Sequence, residues 1–469
     1  MSAAFSMSMQ RFSDRSAARS RGFSLIEMMV AIVLGILIGI GLVSLFAATS
    51  KTNSVQERMA EMQENGRYAV NRLNYDLRLA SRQLMNSSGF SSPQSPTTTV
   101  GLAPDVYVAS IPFPEGAVSA PAGWPAATAT KPSWPMSASK FMQGYACTGG
   151  GCTPAVPTGA RLNIPATGVG AGSRVQNADV LLMRYLNGQG WTSSVGEISV
   201  TCAGGFLINI AVQSVTTVSG TYTYTSQPLN FTSGNLAMLA DSSGSQEIFP
   251  VTVTPGVPEI LAPTAASIPG GGQVRCLSQG DVKLYNFTLD FNTVVYWLRN
   301  DADPNPDAAA GRVIPALIRT TANNNPATQA TATELVQGVE QMNFLYGFQQ
   351  TSGNIQYLTA DQVAGASTAA NCPPSPGQFF NSGVIISDSN CLWRAVSSIE
   401  THMLVDSVNN LFSLTAPERM YQYSFPGPAN TNGRVSPPVS PATMPNGLDA
   451  GAMMRREYIT LVSVRNYNS

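Results

Sequence analysis

Apolar positions fall into three patterns along the chain. The first is an unbroken apolar run from Met28 to Ala48, with no charge between Glu27 and Lys51. It is long enough to span a bilayer core, which takes about 20 residues. The second is a seam in which Val55, Met59, Met62, Gly66, Ala69, Leu73, Leu77, Ala80 and Leu84 recur at spacings of four and three. A period near 3.5 marks one face of a helix. Glu57, Arg58, Glu61, Glu64, Arg67, Arg72, Asp76, Arg78 and Arg82 are assigned to the other faces. No proline interrupts residues 23–85, so one long helix is expected there, with 28–48 as its transmembrane part.

The third pattern begins near residue 178 and reads as strands with Gly and Asn punctuation. Val180–Tyr185, Ile198–Cys202, Phe206–Val212, Leu236–Leu239, Ile248–Val253 and Val294–Leu298 are apolar or alternating runs. The last of these is expected to pair with Val313–Ile318, where Pro315 implies an edge or a bulge. Glu334–Gly347 reads as a short helix or turn leading into a strand, and Ala395–Val405 and Arg455–Asn466 as two more strands. Residues 86–177 differ, being rich in Ser, Thr, Pro and Gly, and are read as surface loops with short strands. The fold class predicted is α+β: a long amino-terminal helix packed on an antiparallel β-rich globular head (178–469), with a loop-rich insertion (86–177).

Composition narrows the function. Only 11% of the 469 residues are charged, against about a quarter in an average domain, while 43% are hydrophobic. A single membrane-length run excludes a polytopic transporter. A balance of 26 basic against 27 acidic residues speaks against a nucleic-acid partner. The six cysteines are Cys147, Cys152, Cys202, Cys276, Cys372 and Cys391. An even count without a Cys-x-x-Cys pair, beside a single histidine, favours disulfides over metal and hence an oxidising compartment. The simplest pairing is 147–152, 202–276 and 372–391, but six cysteines allow 15 connectivities.

The amino terminus is the most specific signal. Residues 1–22 form a leader with Arg11, Arg15, Arg19 and Arg21, which the positive-inside rule keeps cytoplasmic. Gly22-Phe23-Ser24-Leu25-Ile26-Glu27 then opens the apolar run. An acid there is costly and does nothing for a plain anchor. This arrangement resembles the class III signal of type IV pilins and type II secretion pseudopilins. The resemblance implies cleavage of the leader between Gly22 and Phe23 by a prepilin peptidase, N-methylation of Phe23, and docking of subunits through Glu27. Opposite charges attract strongly in a low-dielectric helix bundle, which suits that last role. Many major pilins carry a proline where this chain has Ser44; Gly35, Gly39 and Gly41 lie nearby.

Later segments resemble the large minor pilins of the PilW family. The matching pieces are Asp179–Arg184, Val294–Leu298, Leu335–Glu340 and Arg456–Asn466. The resemblance implies a structural, non-enzymatic minor pilin without a cofactor. It would help prime type IV pilus assembly in a minor-pilin complex at or near the fibre tip and so support motility and adhesion. The partners implied are the prepilin peptidase, other minor pilins, the major pilin, the assembly platform, a tip adhesin and the inner membrane. The chain would sit in the bacterial inner membrane with its head in the periplasm, then on the pilus. Rival readings are a J-type pseudopilin of a type II secretion system and a single-span anchored adhesin or binding protein.

Other candidate sites are weak. Asp301-Ala302-Asp303-Pro304-Asn305-Pro306-Asp307 spaces oxygen ligands like a calcium loop, but Pro306 stands where an EF-hand needs glycine and Arg312 where it needs glutamate. A solvated hairpin tip is the simpler reading. His402, between Thr401 and Met403 in an expected strand, reads as structural. No catalytic constellation and no metal-ligand set is legible.

Overall fold

The computed structural model describes residues 24–80 and, with interruptions, 104–464; the longest internal stretches outside the description are 81–103, 366–377 and 426–442. The chain divides into two units, Met1–Glu57 and Arg58–Ser469. Helix α1 runs from Leu25 to Leu79. Its residues up to Glu57 make up the described part of the first unit.

In the second unit the main elements, in chain order, are β1 (Met142–Thr148), β2 (Gly151–Thr153), β3 (Val180–Leu186), β4 (Ile198–Ala203), β5 (Phe206–Val212), β6 (Leu236–Asp241), β7 (Gln246–Thr254), β8 (Glu259–Pro263), β9 (Val282–Asn286), β10 (Phe291–Ala302), β11 (Val313–Ala322), β12 (Thr331–Gln337), β13 (Val339–Gln349), β14 (Ile355–Leu358), the short helix α2 (Ala360–Gly365), β15 (Val396–Asp406) and β16 (Arg455–Ser463). They form three main sheets. The first runs β12-β11-β10-β3-β1-β2, the second β14-β13-β15-β16, and the third β9-β6-β7-β8-β5-β4. All pairings along these three orders are antiparallel. The protein is therefore α+β, with a long amino-terminal apolar helix and an antiparallel β-rich region.

One core joins the end of α1 to two sheets. Met62, Ala69, Leu73 and Leu77 pack with Leu181, Met183, Val294, Tyr296 and Leu317 of the first sheet and with Met342, Phe344, Met403 and Val462 of the second. The opposite face of the first sheet is buried as well, where Val180, Leu182, Val295 and Trp297 belong to a separate cluster. Burial on both faces explains why β3 and β10 read as near-continuous apolar runs rather than as alternation.

Three points of the sequence reading are decided or corrected by the structure. Glu334–Gly347 contains no helix: β12 ends at Gln337, β13 begins at Val339, and Gly338 between them has φ +81°. That left-handed turn lets the chain leave the first sheet and enter the second. A side chain there would press on Asp406 and Val408. Pro315 marks a bulged strand and not an edge, because β11 pairs on both sides and its ladder to β12 shifts register between Leu317 and Ile318. It lies one residue beyond the β12 ladder, which starts at Ala316, so its missing N–H is not needed. Residues 104–175 are more than loops, for Val106, Ile111, Phe113, Trp134, Met136 and Phe141 supply a core cluster. The Trp134 indole donates to the Val108 carbonyl at 2.7 Å.

Candidate functional site: the two halves of the amino-terminal helix

Of the signal residues, Gly22 and Phe23 lie outside the described residues. Ser24 caps α1: its hydroxyl accepts the Glu27 N–H at 3.2 Å and its carbonyl accepts the Met28 N–H at 3.1 Å. Ser24-x-x-Glu27 is the capping-box spacing, a signal present in the sequence. Glu27 thus falls in the first turn, where a negative charge also complements the helix dipole.

From Leu25 to Phe46 every large apolar side chain is exposed, Phe46 by 77%. The helix is long and apolar enough to cross a membrane. Gly35, Gly39 and Gly41 have open space around them, and no described residue packs where their side chains would be. At Ser44 the helix continues, and the hydroxyl donates to the Gly41 carbonyl at 2.9 Å.

The second half of the helix is built for a partner within its own unit. Met62, Gly66, Ala69, Leu73 and Leu77 are buried as the seam predicts, whereas Met59 is exposed. At Gly66 an added Cβ would sit 2.4 Å from the Tyr458 ring. Glycine lets that ring lie on the helix backbone, and the Tyr458 hydroxyl donates to the Met62 carbonyl at 3.3 Å. Asn74 donates to the Thr460 hydroxyl at 3.2 Å.

Asp76 is assigned from the sequence to a face other than the seam, and the structure corrects this: it is fully buried. Its Oδ2 accepts from Arg319 Nε at 2.6 Å and from the Tyr296 hydroxyl at 2.6 Å. Its Oδ1 accepts from the Tyr185 hydroxyl at 3.3 Å. Tyr185, Tyr296 and Arg319 stand on β3, β10 and β11, so one carboxylate ties the helix to three adjacent strands. Burial, then the Asp76 charge, pushes the Tyr185 hydroxyl up to about 12. The signal was in the sequence: 62, 66, 69, 73, 76 and 80 keep the four-three alternation and place Asp76 on the seam.

Residues quoted for the head motifs hold the sheets together. Asp179 is buried, and its two oxygens accept the backbone N–H of Cys147 in β1 and of Phe344 in β13 at 2.9 and 3.1 Å. It therefore bridges the first and second sheets. Burial raises its pKa to about 7 despite those bonds. At the other end of the motif the buried Arg184 donates to Thr293 and to the Lys140 carbonyl and lies over the Phe113 ring. Glu340 and Arg455, both buried, form a two-pronged pair at 2.6 and 2.8 Å. Nearby Asp406 is pushed well above the usual carboxylate range by burial and then by the Glu340 charge.

Cys147–Cys152 and Cys202–Cys276 form disulfides; Cys372 and Cys391 lie outside the described residues. Asp301 is paired with Arg299 and Asp303 with Arg312, so both acids of the would-be calcium loop are held by guanidinium groups, while Asp307 lies outside the description. Among the described residues no group of three metal-ligating side chains occurs. His402 is buried between Glu457 and Glu400, with 2.8 Å from Nδ1 and Nε2 respectively. Burial alone would lower its pKa, but the two carboxylates outweigh it and the net shift is upward.

Two family models match the chain. Residues 17–45 match the prokaryotic N-terminal methylation motif, a span that includes Gly22, Phe23 and Glu27. Residues 295–466 match the type IV pilus-assembly protein W family, a span that carries the Gly338 corner and the Glu340–Arg455 pair. Residues 46–294, with the Asp179–Arg184 motif, lie outside both matches. No curated protein and no solved structure matches the chain. The two matches together support a PilW-like, type IV pilus-related minor pilin.

Proposed function

We propose that this chain is a structural minor pilin that helps prime type IV pilus assembly, in a complex with other minor pilins at or near the fibre tip. The observation that carries this reading is the first half of α1. It presents exposed apolar side chains on every face and carries one acid in its first turn. Such a surface needs a surrounding that is itself apolar. A bilayer supplies it before assembly and a bundle of like helices after it. Glu27 gives the second environment a register, because a buried acid is costly until a cation of a neighbouring subunit meets it.

The methylation motif implies a substrate of prepilin peptidase, cut between Gly22 and Phe23. The head then lies in the periplasm, where the two disulfides persist. Other minor pilins, the major pilin, the assembly platform and a tip adhesin are the partners in this reading. The match to a pilus-assembly family favours it over a secretion pseudopilin.

The test is the mature amino terminus together with Glu27→Ala. Mass spectrometry should find N-methylated Phe23, and pili per cell should fall at least about tenfold in the variant with its membrane level unchanged. A mature chain beginning at Met1, or normal piliation with Glu27→Ala, would sink the proposal.

A further inference from the structure

Arg174 is an unusual group. It is 6% exposed, yet among the described residues no carboxylate pairs with it. Its Nη1 lies 3.3 Å from Cys147 Sγ and 3.1 Å from Cys152 Sγ, and its Nε is buried without a hydrogen-bond partner. Burial lowers its pKa, with no neighbouring anion to oppose the shift. A buried guanidinium facing only the neutral sulfurs of a disulfide is poorly compensated. It would be well compensated by a thiolate.

We infer that the Cys147–Cys152 disulfide is a thiol-exchange site, in which Arg174 stabilises the thiolate released when an external dithiol opens the bond. The two cysteines are directly opposite on the β1–β2 hairpin, with Cys147 buried and Cys152 half-exposed. The attacking thiolate therefore reaches Cys152 Sγ. A new S–S bond forms to Cys152 and the Cys147–Cys152 bond breaks. Its electron pair leaves on Cys147 Sγ beside the guanidinium. The second thiol of the reductant, as thiolate, then attacks its own sulfur in the mixed disulfide. That step releases Cys152 as thiolate and leaves the reductant oxidised. Two electrons have passed to the cysteines, and the two protons of the dithiol go to solvent or to the cysteine sulfurs. A leaving thiol of lower pKa leaves faster, and a neighbouring cation lowers it. The groups of opposite effect are Asp179, whose Oδ1 accepts the Cys147 N–H, and Asp361, which lines the same cavity of about 240 Å³. On β10 Arg299, paired with Asp301, is the register partner of Arg174, and Tyr145 lies on β1.

The molecule contains its own control. Cys202 of the second disulfide is exposed, so access alone would make Cys202–Cys276 the faster to open. In the full-length chain in detergent at pH 7, with dithiothreitol as the probe, alkylation and mass spectrometry follow both bonds in one sample. Cys147–Cys152 should open about tenfold faster than Cys202–Cys276. Arg174→Met should bring the two rates within about threefold and raise the midpoint pH of iodoacetamide labelling at Cys147 by at least one unit. Arg174→Lys should keep both wild-type properties. Equal or faster opening of Cys202–Cys276 in the unaltered chain overturns the inference without any variant. So does an Arg174→Met chain that keeps the wild-type rate ratio and labelling midpoint.

Discussion

Residues 25–57 and 58–80 belong to one helical stretch of sequence, yet they meet opposite physical conditions. In the first, Ile36, Leu42 and Phe46 are exposed, and charge is absent from Met28 to Ser50. In the second, Leu73 and Leu77 are fully buried while charges occupy the remaining faces. The second half carries its partner in the same chain and obtains about 1.5–3 kcal/mol from each large apolar side chain it buries. The first half has no such partner among the described residues of its unit, and in the proposed function a bilayer or neighbouring subunits supply one. The seam also differs from an ordinary one in including a carboxylate. Asp76 gives the helix a rotational and axial register that apolar contacts alone leave loose.

The sharpest way to break this contrast is Asp76→Ala. It leaves the half-buried Arg319 without its carboxylate and two tyrosines without an acceptor, and should destabilise the head by about 3–5 kcal/mol in chemical denaturation. Asp76→Asn should cost less than Asp76→Ala, since the amide keeps an acceptor for one tyrosine. An equal cost for the two would show that packing, not the polar tie, holds the helix.

A second comparison sets Leu73→Ala against Leu42→Ala. The first opens a cavity in the core and should cost about 2–5 kcal/mol. The second trims a side chain that is 62% exposed, and should leave the head's melting temperature unchanged. A matching loss at Leu42 would mean that the first half is not independent of the folded head.

Gly66→Ala should cost about 1–3 kcal/mol, because the new methyl collides with the Tyr458 ring. Combined with Tyr458→Ala, most of that penalty should vanish. A penalty that persists in the double variant would place its cause elsewhere.

The smallest effect is in pH. His402 gains two carboxylate partners in the folded chain, so its folded pKa lies above the unfolded value of about 6.5. Its contribution is then fully present below about pH 6.5 and is lost as the pH rises through the folded value. Stability should decline from pH 6 to 9, and His402→Gln should lessen that decline, the remainder belonging to buried acids such as Asp179 and Asp406, whose folded pKa values are also raised. A wild-type stability that rises over this range would contradict the assignment.

Several of these features were legible before any coordinates. The apolar run, the Gly22–Glu27 motif and the seam are local patterns, and local patterns are what a one-dimensional reading detects. The capping pair Ser24 and Glu27 and the seam position of Asp76 were equally local, but a charge on a seam reads as an error until its partners are known. Those partners lie at residues 185, 296 and 319, far away in sequence. The corner at Gly338 was misread for a related reason. Leu335–Leu345 is apolar at both helical and strand spacing, and only the ladders to β11 and β15 decide between them.

The sequence by itself determined the long apolar helix, the leader motif ahead of it and the β-rich character of the head, since each rests on periodicity and residue type within a short window. Tertiary structure alone decided which face of the helix carries a buried acid, which strands change sheets, that Asp179 bridges two sheets, and that a buried guanidinium faces a disulfide. Those outcomes depend on loop closure and burial between distant segments, where the cost of leaving a polar group unpaired selects one arrangement from many that the same pattern permits.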